Sequence, residues 1–253
     1  MANLMFVTDS VNSAATVTAE NSQTTHPIYN LLDYNIHTYW ESTNTSNVKI
    51  TAQYAANKSA NRVILYHALP TNTTVTIHTS PNNLDWTAVS NTHTISSSNT
   101  PILVIPITVS TSHLYWRVSI ASLGGVTAKV YLLYIDLYYE ITTRYNYGSD
   151  IGEYDYGGIS ISESFGGVRR ANETREKRQI WRFKYDLWGS GDFPDTDKWD
   201  SIIDDCNGKQ FPMFFIDENS VTHYVRFMQD KLGKVETAHE IYIIPSILLE
   251  QEL

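Results

Sequence analysis

Tyr115-Trp116-Arg117-Val118-Ser119-Ile120 is a short run of aromatic and β-branched residues, the side chains that pack best on a pleated surface, and it reads as a strand. Outward from it the pattern repeats. Arg62-Val63-Ile64-Leu65-Tyr66, Val75-Thr76-Ile77-His78 and Ile102-Leu103-Val104-Ile105 are similar runs separated by turn-forming residues, with no convincing helix between them. Many short strands without intervening helices predict an antiparallel sandwich or barrel rather than βαβ units. Pro106 lacks an N–H and therefore belongs at a sheet edge or a bulge.

Charge divides the chain. Residues 1–140 hold only Lys49, Lys58, Arg62, Arg117 and Lys129 as cations, whereas mixed charges and large aromatics dominate the rest. Between the two halves lies a Gly- and Tyr-rich stretch that reads as a linker. The expected organisation is a β-sandwich over 1–143, a linker over 144–157 and a smaller α+β domain over 158–253. In the last, Gln179 to Leu187 alternates Trp181, Phe183, Tyr185 and Leu187 with Arg182, Lys184 and Asp186, which is period-two amphipathicity. Trp199, Ile202, Ile203 and Cys206 then fall at i, i+3, i+4 and i+7, predicting a helix capped by Asp195 or Thr196 and stopped by Gly208. Phe211–Ile216 and Val221–Met228 flank a hairpin turn, and a last strand over 240–249 is interrupted by Pro245.

Composition excludes several classes. A net charge of −9 opposes binding to nucleic acid, which needs clustered cations to displace counterions. The single Cys206 precludes an internal disulfide, and no segment is apolar for long enough to span a bilayer. The acids Asp192, Asp195, Asp197, Asp200, Asp204 and Asp205 lack the order of a calcium loop and read as a solvated helix face. No nucleophile and base are spaced for catalysis, so a non-enzymatic protein is expected.

Four motifs in order resemble the discoidin family, the coagulation factor V/VIII C-type or galactose-binding-like jelly roll, over residues 14–140. They are Asn30 to Trp40, Ser80-Pro81-Asn82-Asn83-Leu84-Asp85-Trp86-Thr87, His113 to Val118, and Tyr134-Ile135-Asp136-Leu137-Tyr138. Tyr34 stands where that family usually has Gly, and Asp136 where it has Glu. The resemblance implies a structural calcium held by Asp33, Asn35, Thr38 and Asp136, whose hard oxygens suit that ion. It also implies that Trp40, Trp86 and Trp116 are core residues. The loop residues His26, Tyr29, Tyr34, His37 and Glu41 are candidates for a carbohydrate face.

Phe165-Gly166-Gly167-Val168-Arg169-Arg170, the aromatic strand from Trp181, the helix before Gly208, and Phe211 to Phe215 with Tyr224 to Phe227 resemble, over residues 158–253, the split-barrel domain of bacteriophage distal-tail and tail-tip proteins. That resemblance implies a virion protein made in the host bacterial cytoplasm, partnered by copies of itself in a homo-oligomeric ring, by other tail proteins and by host-surface glycan. Arg169, Arg170, Arg178 and Arg182 would serve the assembly interface. The rival expectations are a carbohydrate-binding, lectin-like module and an adhesin unrelated to phage tails.

Overall fold

A computed structural model describes residues 3–97, 101–108, 112–141, 151–155, 159–163, 169–173, 178–187, 196–230, 235–238 and 241–252, with side chains described outside 151–177, 184–197 and 231–246. In chain order the strands are β1 (Leu4–Val7), β2 (Thr16–Ala19), β3 (Trp40–Glu41), β4 (Val48–Ser59), β5 (Arg62–His67), β6 (Thr74–Ser80), β7 (Thr87–Ala88), β8 (His93–Thr94), β9 (Ile102–Pro106), β10 (Ser112–Ala121) and β11 (Lys129–Asp136). There follow β12 (Tyr139–Ile141), β13 (Ile151–Asp155), β14 (Ile159–Glu163), β15 (Arg169–Glu173), β16 (Arg178–Leu187), the helix α1 (Thr196–Asp205), β17 (Met213–Ile216), β18 (Thr222–Phe227), β19 (Val235–Ala238) and β20 (Ile241–Gln251). The protein is mainly β. No described helix is long and apolar enough to cross a membrane.

The chain forms two compact units, Val7–Tyr139 and Met1–Phe6 with Glu140–Leu253. The first is therefore inserted into the second in sequence, which differs from the expected domains in series. Among the described residues the inserted unit is a β-sandwich of two antiparallel sheets. One has six strands in the order β2-β4-β10-β6-β7, with β8 also on β6, and the other has four in the order β3-β11-β5-β9. Ile50, Ile77 and Val118 from the first share one core with Val63, Leu65, Val130 and Ile135 from the second. Trp40 and Trp116 are fully buried, as expected, and each indole N–H finds an acceptor: Ser22 Oγ at 2.8 Å and the Lys58 carbonyl at 3.2 Å. Pro106 ends β9, the edge strand of the smaller sheet, where no ladder bond is lost.

One polar cluster joins the start of this unit to its end. Lys58 Nζ lies 2.6 Å from Asp9 Oδ2 and 2.8 Å from Asp136 Oδ1. Asp136 Oδ2 accepts from the Asp9 amide at 3.1 Å and the Thr8 hydroxyl at 3.3 Å. Burial opposes charge on Lys58, but Asp136 and Asp9 outweigh it and hold the ammonium above its ordinary pKa.

In the second unit the sheet order is β12-β1-β17-β18-β20-β16-β13, with β19 on β20. The strand β1, expected within 1–143, belongs here because Phe6 stacks on Phe215 at 5.1 Å and meets Trp199 edge-on at 4.9 Å. The expected linker is also partly ordered: β13 pairs antiparallel with β16 over Ile151 to Asp155, with a register shift that falls at Gly152. The rest of 144–157 lies outside the described residues. The helix forms where its periodicity places it, burying Trp199, Ile202, Ile203 and Cys206. Asp195 lies outside the described residues. Gly208 adopts φ +64° and donates to the Ile203 carbonyl at 2.9 Å, ending the helix in the left-handed conformation. A Cβ there would meet Asp230 Cα at 2.9 Å. Asp204 and Asp205 sit in the last turn, where the dipole disfavours acids, so only part of the acidic stretch matches the helix field. The hairpin β17–β18 turns on Asp217, whose Oδ1 accepts from the Asn219 and Val221 amides. Pro245 does not end β20. The register passes from Phe183↔Ile247 to Tyr185↔Ile244, so Pro245 and Ser246 together oppose Lys184 in a bulge.

His67, at the end of β5, supplies a pH test of the inserted unit. It is 3% exposed, and its Nδ1 accepts from the Leu69 amide at 3.1 Å. Burial pushes its pKa down to about 4, from 6.5. Because the folded value is depressed, its contribution is complete above the unfolded pKa and is lost as pH falls through the folded one. Between pH 7 and 4 the loss amounts to about 3 kcal/mol. His67→Gln is expected to remove that part of the pH slope, measured by denaturant unfolding of the full chain at each pH. A slope unchanged in the variant excludes His67 as its source.

Candidate functional site

The most distinctive side-chain cluster of the inserted unit forms where β3 meets β11. Their register sets Glu41 opposite Lys129 and Trp40 opposite Val130. A register shift between Val130 and Leu132 makes Tyr131 an extra residue in β11, and such a bulge re-aims its side chain. Tyr131 then packs against Tyr39 at 5.4 Å on one side and edge-on against Tyr66 of β5 at 5.5 Å on the other. These three half-buried rings form a line from the residue preceding β3 across β11 to β5.

Charged groups flank one end of the line. His26 stacks on Tyr39 at 4.1 Å, and its Nε2 lies 3.1 Å from the Tyr39 hydroxyl. Glu41 Oε1 accepts from Thr127 Oγ1 at 2.6 Å. Lys129 Nζ is 3.8 Å from Glu41 Oε1 and 5.0 Å from the centre of the Tyr39 ring, a cation–π geometry. The Tyr66 phenol is held above its ordinary pKa by burial and by Tyr131, so it remains a hydrogen-bond donor. Apolar ring faces beside a carboxylate, an ammonium and hydroxyls can take the C–H face of a sugar while bonding its hydroxyls.

Of the five loop candidates, the structure brings His26 and Glu41 together here. Tyr34 and His37 belong instead to the turn from Asp33 to Thr38. Tyr34 takes φ +56° there, and the His37 amide donates to Asn35 Oδ1 at 2.9 Å. Tyr29 stands 66% exposed on a 3-10 turn spanning Ile28–Leu32. Tyr39, Tyr66, Thr127, Lys129 and Tyr131 were missed because a strand pairing between residues about ninety apart assembles them.

Of the four expected calcium ligands, Asp33, Asn35 and Thr38 share one turn, and Asp136 takes its hydrogen-bond partners from Thr8, Asp9 and Lys58. Asp33 Oδ2 accepts from Thr38 Oγ1 at 2.6 Å and Oδ1 from the Asn35 amide at 2.9 Å, closing the turn on itself. Asp136 is engaged by Lys58, Thr8 and the Asp9 amide instead. Trp86 is a second correction: it is half-buried rather than core, with the Arg117 guanidinium 3.5 Å from its ring centre. The Asn82–Asp85 turn, with Asn83 at φ +62°, holds it outside the sandwich interior, and its N–H donates to the Asn83 carbonyl at 3.2 Å.

The expected assembly arginines are only partly placed. Arg169 and Arg170 lie on β15, which pairs with β14, and their side chains are outside the described residues. Arg178 is already paired within the chain, 3.3 Å from Glu250, because β16 runs beside β20. Arg182 is half-buried on the same strand opposite Leu248.

No family model and no curated protein matches the chain. Several solved structures resemble it. The family 32 carbohydrate-binding module from C. perfringens NanJ, determined in complex with galactose, is 15% identical with a TM-score of 0.44, over 54% of this chain and 99% of that one. Chitosan-binding module 1 of a chitosanase/glucanase from Paenibacillus sp. IK-5 is 20% identical with a TM-score of 0.42, over 50% and 97%. A Clostridium perfringens module in complex with GalNAc-beta-1,3-galactose is 12% identical with a TM-score of 0.42, over 48% and 94%.

The turn at Asp33 is a local structural device, and calcium is not expected to change its stability. Asp33→Ala is expected to lower the stability of the inserted unit by about 1 kcal/mol through its lost hydrogen bonds. Thermal unfolding should show the same decrement in calcium and in chelator. A decrement present only with calcium restores the metal reading.

Proposed function

We propose that the inserted unit is a non-catalytic carbohydrate-binding module that holds a neutral glycan on the Tyr39, Tyr131 and Tyr66 patch. The observation that carries this reading is the line of three tyrosine rings flanked by His26, Glu41 and Lys129. Stacking supplies apolar contact, and the charged groups fix the hydroxyls, with Glu41 and Lys129 balancing one another in charge. The order of motifs resembling the discoidin family points the same way. Glu41 is committed to Thr127 and Lys129, and Asp136 to Lys58, which favours holding a ligand over transferring a proton. Glycan-array screening followed by calorimetry on the full chain tests it. Binding of a galactose- or glucosamine-type oligosaccharide is expected, weakened at least tenfold, about 1.4 kcal/mol, by Tyr39→Ala or Tyr131→Ala. Binding unaffected by both changes, or absent from the unaltered chain, removes the proposal.

A second reading concerns the unit made by residues 1–6 and 140–253, as a ring-forming bacteriophage tail module carrying the sandwich as an insertion. It is favoured by one observation: β16, α1, the β17–β18 hairpin and β20 follow in the order that the tail-tip resemblance requires. On this reading the protein is a virion component whose partners are its own copies and other tail proteins. Electron microscopy with mass determination on the purified chain is expected to show closed rings. A strictly monomeric chain discards the tail reading and leaves the glycan module standing alone.

A further inference from the structure

The outer face of the six-stranded sheet gathers basic groups that the tyrosine patch does not use. On β10, Arg117 stands opposite Thr51 of β4 and His78 of β6, and Ser119 stands opposite Lys49 and Thr76. Alternation aims all of these away from the core, since Trp116, Val118 and Ile120 between them are buried. Thr18 of β2 extends the same face beside Thr51. Arg117, His78 and Lys49 thus occupy one small area of a unit that has only five Lys and Arg in all.

Each group is held in place. The Arg117 guanidinium lies 3.5 Å from the Trp86 ring centre, and its Nε donates to Thr51 Oγ1 at 3.3 Å. His78 Nδ1 lies 3.3 Å from Ser119 Oγ. Lys49 is 3.3 Å from Glu20, which is half exposed. Among the described residues no carboxylate lies within ion-pair distance of Arg117. Directly opposed like charges cost stability in a sheet. Here burial, followed by Arg117 and Lys49, holds His78 below its ordinary pKa, while Glu20, paired with Lys49, is the carboxylate that acts on Arg117.

A flat ladder of hydroxyls around a stacked, pre-oriented guanidinium is suited to a carboxylate carried on a sugar. The planar fork donates to both carboxylate oxygens together, and Thr51, Ser119, Thr76 and Thr18 offer donors and acceptors to ring hydroxyls. Strand spacing of about 4.8 Å spreads these groups along a chain rather than around a single ion. We propose that this face, centred on Arg117, Trp86 and His78, binds a uronate-bearing polysaccharide. It is a second surface, separate from the tyrosine patch and independent of it.

The test is calorimetry on the full chain with three probes: trigalacturonate, its fully methyl-esterified form and inorganic sulfate. Trigalacturonate is expected to bind, at least tenfold more tightly than the ester and than sulfate, and more weakly as salt is raised. Arg117→Gln is expected to weaken it at least tenfold, and Lys49→Gln to a lesser degree, while Arg117→Gln leaves neutral-glycan binding at the tyrosine patch unchanged. Thermal unfolding of both variants must match the parent chain, and Arg117→Lys, which keeps the charge without the fork, should recover only part of the affinity. Equal affinity for acid and ester, sulfate binding as tightly as trigalacturonate, or trigalacturonate binding indifferent to Arg117→Gln overturns the proposal. Loss of neutral-glycan binding in that variant also overturns the claim of two separate surfaces.

Discussion

Lys58 reaches two carboxylates that stand 127 residues apart in the chain, Asp9 near the start of the inserted unit and Asp136 at the end of its last strand. An insertion must return its chain to the host sheet close to where it left, and this ion triad binds the two stretches together inside the sandwich. The strands that bracket it, β1 and β12, are neighbours in the host sheet. Charges taken from water stabilise only when each is matched. The Thr8 hydroxyl and Asp9 amide therefore complete the coordination of Asp136. This arrangement also explains why Asp136 is not free to serve a cation elsewhere.

The second unit depends on a different force. Phe6, Trp199, Phe183 and Phe215 surround one another with ring contacts between 4.9 and 6.4 Å. Burial of several large rings is worth several kcal/mol, since truncating one to Ala costs about 3–5 kcal/mol. That is enough to draw β1 out of the sequence-adjacent sandwich and into this sheet. The amphipathic helix contributes Trp199 to the cluster, so helix, N-terminal strand and central hairpin share one core.

On the proposed readings, both faces of the sandwich carry most of their binding groups on strands rather than on loop tips. On the smaller sheet a bulge at Tyr131 builds the tyrosine line, and on the larger sheet regular alternation lines up Arg117, Ser119, His78 and Thr51. Rigid strands keep such groups in place without ordering a loop on binding, which limits the entropic cost of association. The two surfaces differ in charge: the tyrosine line sets Glu41 against Lys129, whereas on the larger sheet Glu20 stands against three basic groups, Arg117, Lys49 and His78. Neutral and acidic sugars would therefore sort between them.

Local pattern determined the strands β5, β6, β9, β10, β16, β17, β18 and β20, the helix α1 with Gly208 at its end, the hairpin at Asp217 and the edge position of Pro106, because each follows from periodicity or turn chemistry within a few residues, and the discoidin resemblance implied the burial of Trp40 and Trp116. His26 and Glu41 were legible as polar loop candidates, and Glu41 stands on β3. The rest required tertiary structure, for one physical reason: pairing register and long-range burial are properties of two segments at once. The pairing of β3 with β11 brings Lys129 and Tyr131 to Tyr39. The capture of Asp136 by Lys58 removes it from the Asp33 turn, and the aromatic cluster takes β1 from one unit to the other. A composition rich in Gly and Tyr could not disclose that β13 would find β16, and only the folded sheet put Trp86 outside the core, against Arg117.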